Sequence, residues 1–159
     1  MTESPLFTVH SSVKPEWIDY NGHMNMGYYL VAFDEVGTDS YFDFLGIGRE
    51  HHARENRSTF TLASNIDFLK EVFANEPLRF TTRLLDFDHK RIHYFHCMYH
   101  AEQGYLAATN ECLTMYMDMD TRRSAVFSEA QQARFEIERQ RAEAQEAAPR
   151  VGRKLGIRR

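Results

Sequence analysis

The chain has 159 residues, 43% hydrophobic and 26% charged, which is enough apolar material for one domain with a core and excludes a disordered composition. The formal charge is −4, yet residues 150–159 carry five basic side chains and no acid, so the first 149 residues stand at −9 and general nucleic-acid binding is excluded. No apolar run approaches the ~20 residues that cross a bilayer, and MTESPLFTVHSSVKPEW lacks a basic region followed by an apolar stretch, so the chain is read as cytoplasmic.

In chain order, residues 6–13 alternate and predict a strand. A loop follows, marked by Pro15 and the Asn21-Gly22 pair. Residues 26–45 predict a helix with Asn25 as N-cap and Gly46 as its stop. Gly37 inside it lowers helix propensity by ~1 kcal/mol and suggests a close approach by another backbone. GREHHARENRS reads as a polar, mobile connection. Four strand candidates then cover 59–72, 77–88, 91–101 and 105–120, separated by short hairpin-like breaks. Residues 128–148 predict a last helix capped by Ser128, its far half polar and either projecting outward or frayed. The domain plan is therefore one main domain over 1–128, a C-terminal helix over 129–148, and a basic, disordered tail over 149–159.

The helix at 26–45 is apolar nearly all round, through Tyr28, Tyr29, Phe33, Tyr41, Phe42 and Leu45 among others. Such a helix must be surrounded. One strand, one long helix and four antiparallel strands give an α+β fold in which a curved sheet of about five strands wraps the helix. The exposed sheet edges favour pairing with a second copy. Cys97 and Cys112 lack a secretory context and are expected to be buried thiols.

The stretch DYNGHMNMGYYLVAFDE, 19–35, carries the candidate chemistry. Asp19 precedes a turn and a helix N-terminus. It is either a loop acid that favours the helix dipole or a catalytic carboxylate. In the second reading the unpaired N–H groups of the first helical turn receive the oxygen of a thioester carbonyl. Asp19 then attacks the carbonyl carbon or activates a water. His23 is open to a structural or a substrate contact, Asn25 is a cap first, and Asp34 or Glu35 reaches either a pocket or a partner subunit. No metal is expected. His96 and His100 lie roughly 13 Å apart along a strand, His93 points the other way, and the His51-His52 pair has no third ligand. There is no CxxC, GxSxG, P-loop or dinucleotide motif.

The segment 13–48, with its WIDYNGHMNMGYYLVAFDE core, resembles the hotdog-fold acyl-CoA thioesterases of the 4-hydroxybenzoyl-CoA thioesterase type. Asp19, Gly22, His23, Asn25, Tyr29 and Asp34-Glu35 fall on that family's pattern, and MDMDTRRSAVF resembles its closing segment. The resemblance implies Asp19 as the catalytic carboxylate and a backbone N–H near Met26 or Gly27 as oxyanion donor; Glu35 is the acid to turn to should Asp19 prove dispensable. Met26 departs from the family, where many relatives carry a second Asn. It also implies an acyl-CoA substrate bound at a subunit interface, no separate cofactor, and basic residues on the CoA phosphates, for which Lys90, Arg91, Arg122 and Arg123 are candidates. A narrower resemblance, through LLDFDHKRIHYFHCMYHAEQGYLAATNE and DTRRSAVF, is to thioesterases of bacterial carnitine breakdown. That subgroup implies betainyl-CoA as substrate. A trimethylammonium group is held well by aromatic faces, and Trp17, Tyr20, Tyr28, Tyr29, Phe33 and Tyr41 are the candidates. Two rival classes stay open: a hotdog enoyl-CoA hydratase or dehydratase, and a non-catalytic acyl-CoA binding module.

Overall fold

The computed structural model describes residues 6–157 and 159. Residues 1–5, at the head of the predicted 1–128 unit, and Arg158 of the predicted tail lie outside the described residues. Strand β1 (Phe7–Ser12) leads through a loop into helix α1 (Met26–Ala32), a π-helical turn (Phe33–Thr38) and α2 (Asp39–Leu45), which run on as one rod. Asn25 caps its start and Gly46, at φ 80°, ends it in the left-handed conformation that glycine adopts without strain. Then follow α3 (Arg49–Glu55), β2 (Arg57–Phe68), β3 (Pro77–Phe87), β4 (Arg91–His100), β5 (Leu106–Asp118), a short β6 (Arg123–Ser124) and α4 (Glu129–Glu143).

The strands form one antiparallel sheet in the order β1-β3-β4-β5-β2, with β6 on β5. It curls around the helical rod, giving the hotdog architecture. A row of residues crosses five strands in register, Val9 to Phe80 to Met98 to Ala108 to Phe68, and its first four members pack into the core against Tyr29, Ala32 and Phe33. A second core cluster gathers Tyr41, Phe42, Leu45, Tyr94 and Tyr116 further along the rod.

Gly37 makes room for a side chain, not for a backbone. The His96 imidazole lies against it, and a Cβ on Gly37 would sit 3.2 Å from His96 Cε1. His96 is fully buried, stacked on Phe33, with its ring nitrogens 2.7 Å from Thr82 Oγ1 and 3.0 Å from Thr38 Oγ1. Burial pushes its pKa down to about 3, so the ring is neutral.

Four further features differ from the sequence reading. GREHHARENRS holds a two-turn helix, α3, because Asp43 takes the Arg49 N–H and guanidinium at its start and His51 tucks its ring against Tyr116 Oη at 2.6 Å. Strand β2 stops at Phe68 because the N–H groups of Leu69 and Lys70 both turn to the Ala107 carbonyl. Helix α4 ends at Glu143 and does not project outward: Phe135 packs on Phe87 and Phe127, and Glu138 is buried near Arg134 and Arg141. The basic tail is tied down at its start. Arg150 and Arg153 clamp the buried Asp67, and the Gly152 N–H donates to Glu111. Cys97 and Cys112 are free and buried, as expected.

Candidate active site

Local sequence builds the Asp19 loop. Asn21-Gly22 turns the chain so tightly that Ile18 and Met24 bridge across it, with Gly22 at φ 80°. The Asp19 N–H donates to the His23 carbonyl, and Gly22 N–H returns to the Asp19 carbonyl. Two further bonds pin the loop to the body: Asn25 N–H to Trp17 O, and Met24 N–H to Val72 O, each 2.9 Å.

That frame fixes the carboxylate. Asp19 Oδ1 accepts the Asn21 N–H at 2.8 Å, and Oδ2 accepts the Asn25 side-chain amide at 3.2 Å. Asn25 does two jobs, since its Oδ1 also accepts the Gly27 N–H at 2.9 Å as the helix cap. The expected oxyanion donors therefore separate. Gly27 N–H is taken by Asn25, whereas Met26 N–H has no partner among the described residues. Asp19, Asn25 and Met26 all face one open cleft of about 510 Å³.

His23 sits between two carboxylates. Its Nε2 is 4.0 Å from Asp19 Oδ1 and its Nδ1 is 3.0 Å from Glu71 Oε2, the latter out of line for a good hydrogen bond. Glu71 and Phe68 also line the cleft. Neither was singled out in the sequence, because both lie more than forty residues after Asp19 and arrive there through the end of β2. The available signal was strand parity: Phe68 shares the inward face with Ile66.

The six aromatic candidates divide. Tyr20 and Tyr29 line the cleft. The Tyr29 hydroxyl donates to the Lys70 carbonyl, and burial pushes its pKa up to about 12, so it stays protonated. Trp17 and Tyr28 stack on each other at 6.0 Å beside the loop. Phe33 and Tyr41 are core residues. Tyr41 comes twelve residues after Tyr29, roughly 18 Å further along the rod, too far to share one pocket.

Glu35 is exposed and outside the Asp19 cleft of this chain. Its neighbour Asp34 lines another cleft beside Thr38 and Asp39, and burial, then repulsion from Glu35, raises its pKa. Of the phosphate-binding candidates, Arg91 is engaged by Asp88 through two bonds, and Arg122 lies over the Phe60 ring. Arg123 is exposed in β6, and Lys90 is half-buried. All four cluster by the start of β2, since Arg91 pairs with Met115 and Met115 with Phe60. The Asp19 cleft lies by the end of β2, eight residues and roughly 26 Å away. Among the described residues no three His, Cys, Asp or Glu side chains converge as a metal site, and no helix is long and apolar enough to cross a membrane.

Residues 13–135 match the family model described as the thioesterase-like superfamily. The chain is 35% identical over 155 residues to a betainyl-CoA thioesterase of Pseudomonas aeruginosa, covering 96% of this chain and 95% of that one. It is 34% identical over 119 residues to an L-carnitine dehydrogenase/betainyl-CoA thioesterase of Ruegeria pomeroyi, where the match spans 75% of this chain and 24% of the longer protein. A Staphylococcus aureus protein solved in complex with CoA superposes with a TM-score of 0.87, at 27% identity and 96% coverage of both chains.

Proposed function

The chain belongs to the thioesterase-like superfamily and is an acyl-CoA thioesterase, and from that premise we propose that it hydrolyses betainyl-CoA to glycine betaine and CoA in the Asp19 cleft. The observation that carries the mechanism is the pairing of a twice-bonded Asp19 carboxylate with an unpartnered Met26 N–H in the same cleft. The carbonyl oxygen binds at the Met26 N–H, at the positive end of the helical rod, where charge developing on oxygen is stabilised. Asp19 then acts on the carbonyl carbon as nucleophile, or on a water as general base. Its two hydrogen bonds hold it in place for either step.

The assignment of substrate is supported by the two relatives whose names carry betainyl-CoA and by the Tyr20, Tyr29 and Phe68 rings in the cleft. CoA release followed with a thiol reagent tests it, on betainyl-CoA, acetyl-CoA, a medium-chain acyl-CoA and 4-hydroxybenzoyl-CoA. Preference for betainyl-CoA is expected. Equal or greater turnover of the other members keeps the chemistry and rejects the substrate.

A homodimer completes the reading. Strand β2 is a twelve-residue edge with Phe60, Leu62 and Phe68 exposed, and an edge of that length and polarity calls for a partner strand. A two-fold pairing of β2 with its copy sets the start of one strand beside the end of the other. The basic cluster of one subunit then lies near the Asp19 cleft of its partner, where the CoA phosphates would reach it. Sedimentation at twice the 18.7 kDa chain mass is the expected result, and a monomer at assay concentration rejects the shared site.

A further inference from the structure

Resting on the thioesterase reading of the Asp19 cleft, we propose that Glu71 selects the acyl group: its carboxylate faces the cleft to receive a permanently cationic acyl terminus. The backbone around Glu71 is held from three sides. Tyr105 Oη donates to the Glu71 carbonyl at 3.0 Å, Tyr29 Oη to the Lys70 carbonyl at 3.3 Å, and Met24 N–H to the Val72 carbonyl at 2.9 Å. The base of the side chain is thus fixed, while its carboxylate remains about half exposed, at 56%. It reaches His23, and through that ring it stands across from Asp19.

The charge balance of the cleft gives the argument its direction. Two carboxylates face it with the His23 ring between them, and Lys70 carries its ammonium 4.2 Å from the Tyr105 ring centroid. Tyr20, Tyr29 and Phe68 bring aromatic rings to the same lining, beside Asn21, Asn25 and the apolar Met24, Met26 and Leu69. CoA is itself polyanionic, so a second acid in the acyl site repels an anionic acyl group and offers a neutral one no attraction to offset the repulsion of CoA. It favours one chemistry, a compact cation that aromatic faces and a carboxylate hold together. In a betainyl group a single methylene separates the carbonyl carbon from the quaternary nitrogen. A carbonyl placed at Asp19 and Met26 N–H therefore leaves the cation inside the same cleft, within the field of Glu71.

The test uses two isosteric thioesters, betainyl-CoA and 3,3-dimethylbutyryl-CoA, in which a quaternary carbon replaces the quaternary nitrogen. Their carba analogues, with methylene in place of the thioester sulfur, report affinity without turnover. In Glu71→Gln the cationic-to-neutral ratio of kcat/KM, and of affinity for the analogues, is expected to fall about two- to fivefold, the scale of one half-exposed ion pair, since the aromatic contacts stay. In Glu71→Lys it falls further. If Glu71 merely holds His23, both members of each pair change together and the ratio stays put, which overturns the proposal. Failure of the substrate reading looks different: the wild-type protein turns over neither isostere, yet the affinity ratio of the analogues still responds to Glu71→Gln. A wild-type protein that binds neither analogue overturns both.

Discussion

Asn25 joins the helix cap to the catalytic carboxylate, and substitutions there separate the two roles. Asn25→Asp keeps an oxygen for the Gly27 N–H, and Asp caps as well as Asn, so the cap itself should contribute a change of only a few tenths of a kcal/mol. The other half of the amide is replaced by a carboxylate oxygen where an N–H donor stood 3.2 Å from Asp19 Oδ2. Two like charges about 4 Å apart repel by ~4 kcal/mol at an effective dielectric of 20. The cleft is open to water, and halving that figure for screening leaves ~2 kcal/mol, which lowers the melting temperature and pushes the Asp19 carboxylate from its place; carried in full into the transition state it slows the reaction about 30-fold. Asn25→Ser keeps the cap and adds no charge; it loses one hydrogen bond to a charged group, ~1.5 kcal/mol of stability, and up to about tenfold in rate where that bond holds Asp19 in place in the transition state. The assay is CoA release beside a thermal melt of each variant. Near-normal kcat/KM for Asn25→Asp would refute the coupling of Asn25 to Asp19, and a loss of stability well beyond the ~2 kcal/mol that repulsion or the lost hydrogen bond accounts for would refute the separation of roles.

The buried His96 makes stability depend on pH. Its folded pKa, about 3, lies below the unfolded value of 6.5, so between those limits the unfolded chain binds more protons and acid favours unfolding. Urea melts should show a His96 contribution that is fully present above pH 6.5 and lost at up to ~1.4 kcal/mol per unit as pH falls toward 3. His96→Gln should flatten that slope, and an unchanged slope contradicts the assignment. The Asp67 clamp should protect the tail: Asp67→Asn, by weakening its pairs with Arg150 and Arg153, is expected to speed tryptic cleavage at those two residues. Equal cleavage rates would show that the clamp does not hold the tail in solution.

What was legible in the sequence follows from distance along the chain. Asp19, His23, Asn25 and Met26 fall within eight residues, and a turn followed by an N-cap forces them together whatever the rest of the chain does. The sheet was legible because period-two runs with hairpin breaks leave few other pairings. Phe68 and Glu71 reach the cleft only through the register of β2 on β5, which a bulge between Thr61 and Ala63 shifts by one residue. No local pattern encodes that shift. The aromatics of the rod were over-read for the same reason, because which ring faces the cleft depends on the sheet beneath. Phe33 meets Phe80 and His96, and Tyr41 meets Phe7 and Tyr94, so both are spent on the core. Helix α3 escaped notice because its anchors, Asp43 and Tyr116, lie outside the polar segment they organise.

The most direct test of the account is CoA release from betainyl-CoA by wild-type protein and by Asp19→Asn, with circular dichroism to confirm that both are folded. Asn at this position keeps the size of the side chain and removes the charge that attacks carbon or takes the proton. The account predicts active wild-type protein and a variant slower by at least ~100-fold. A folded variant with near-normal turnover would contradict it and remove Asp19 from the chemistry.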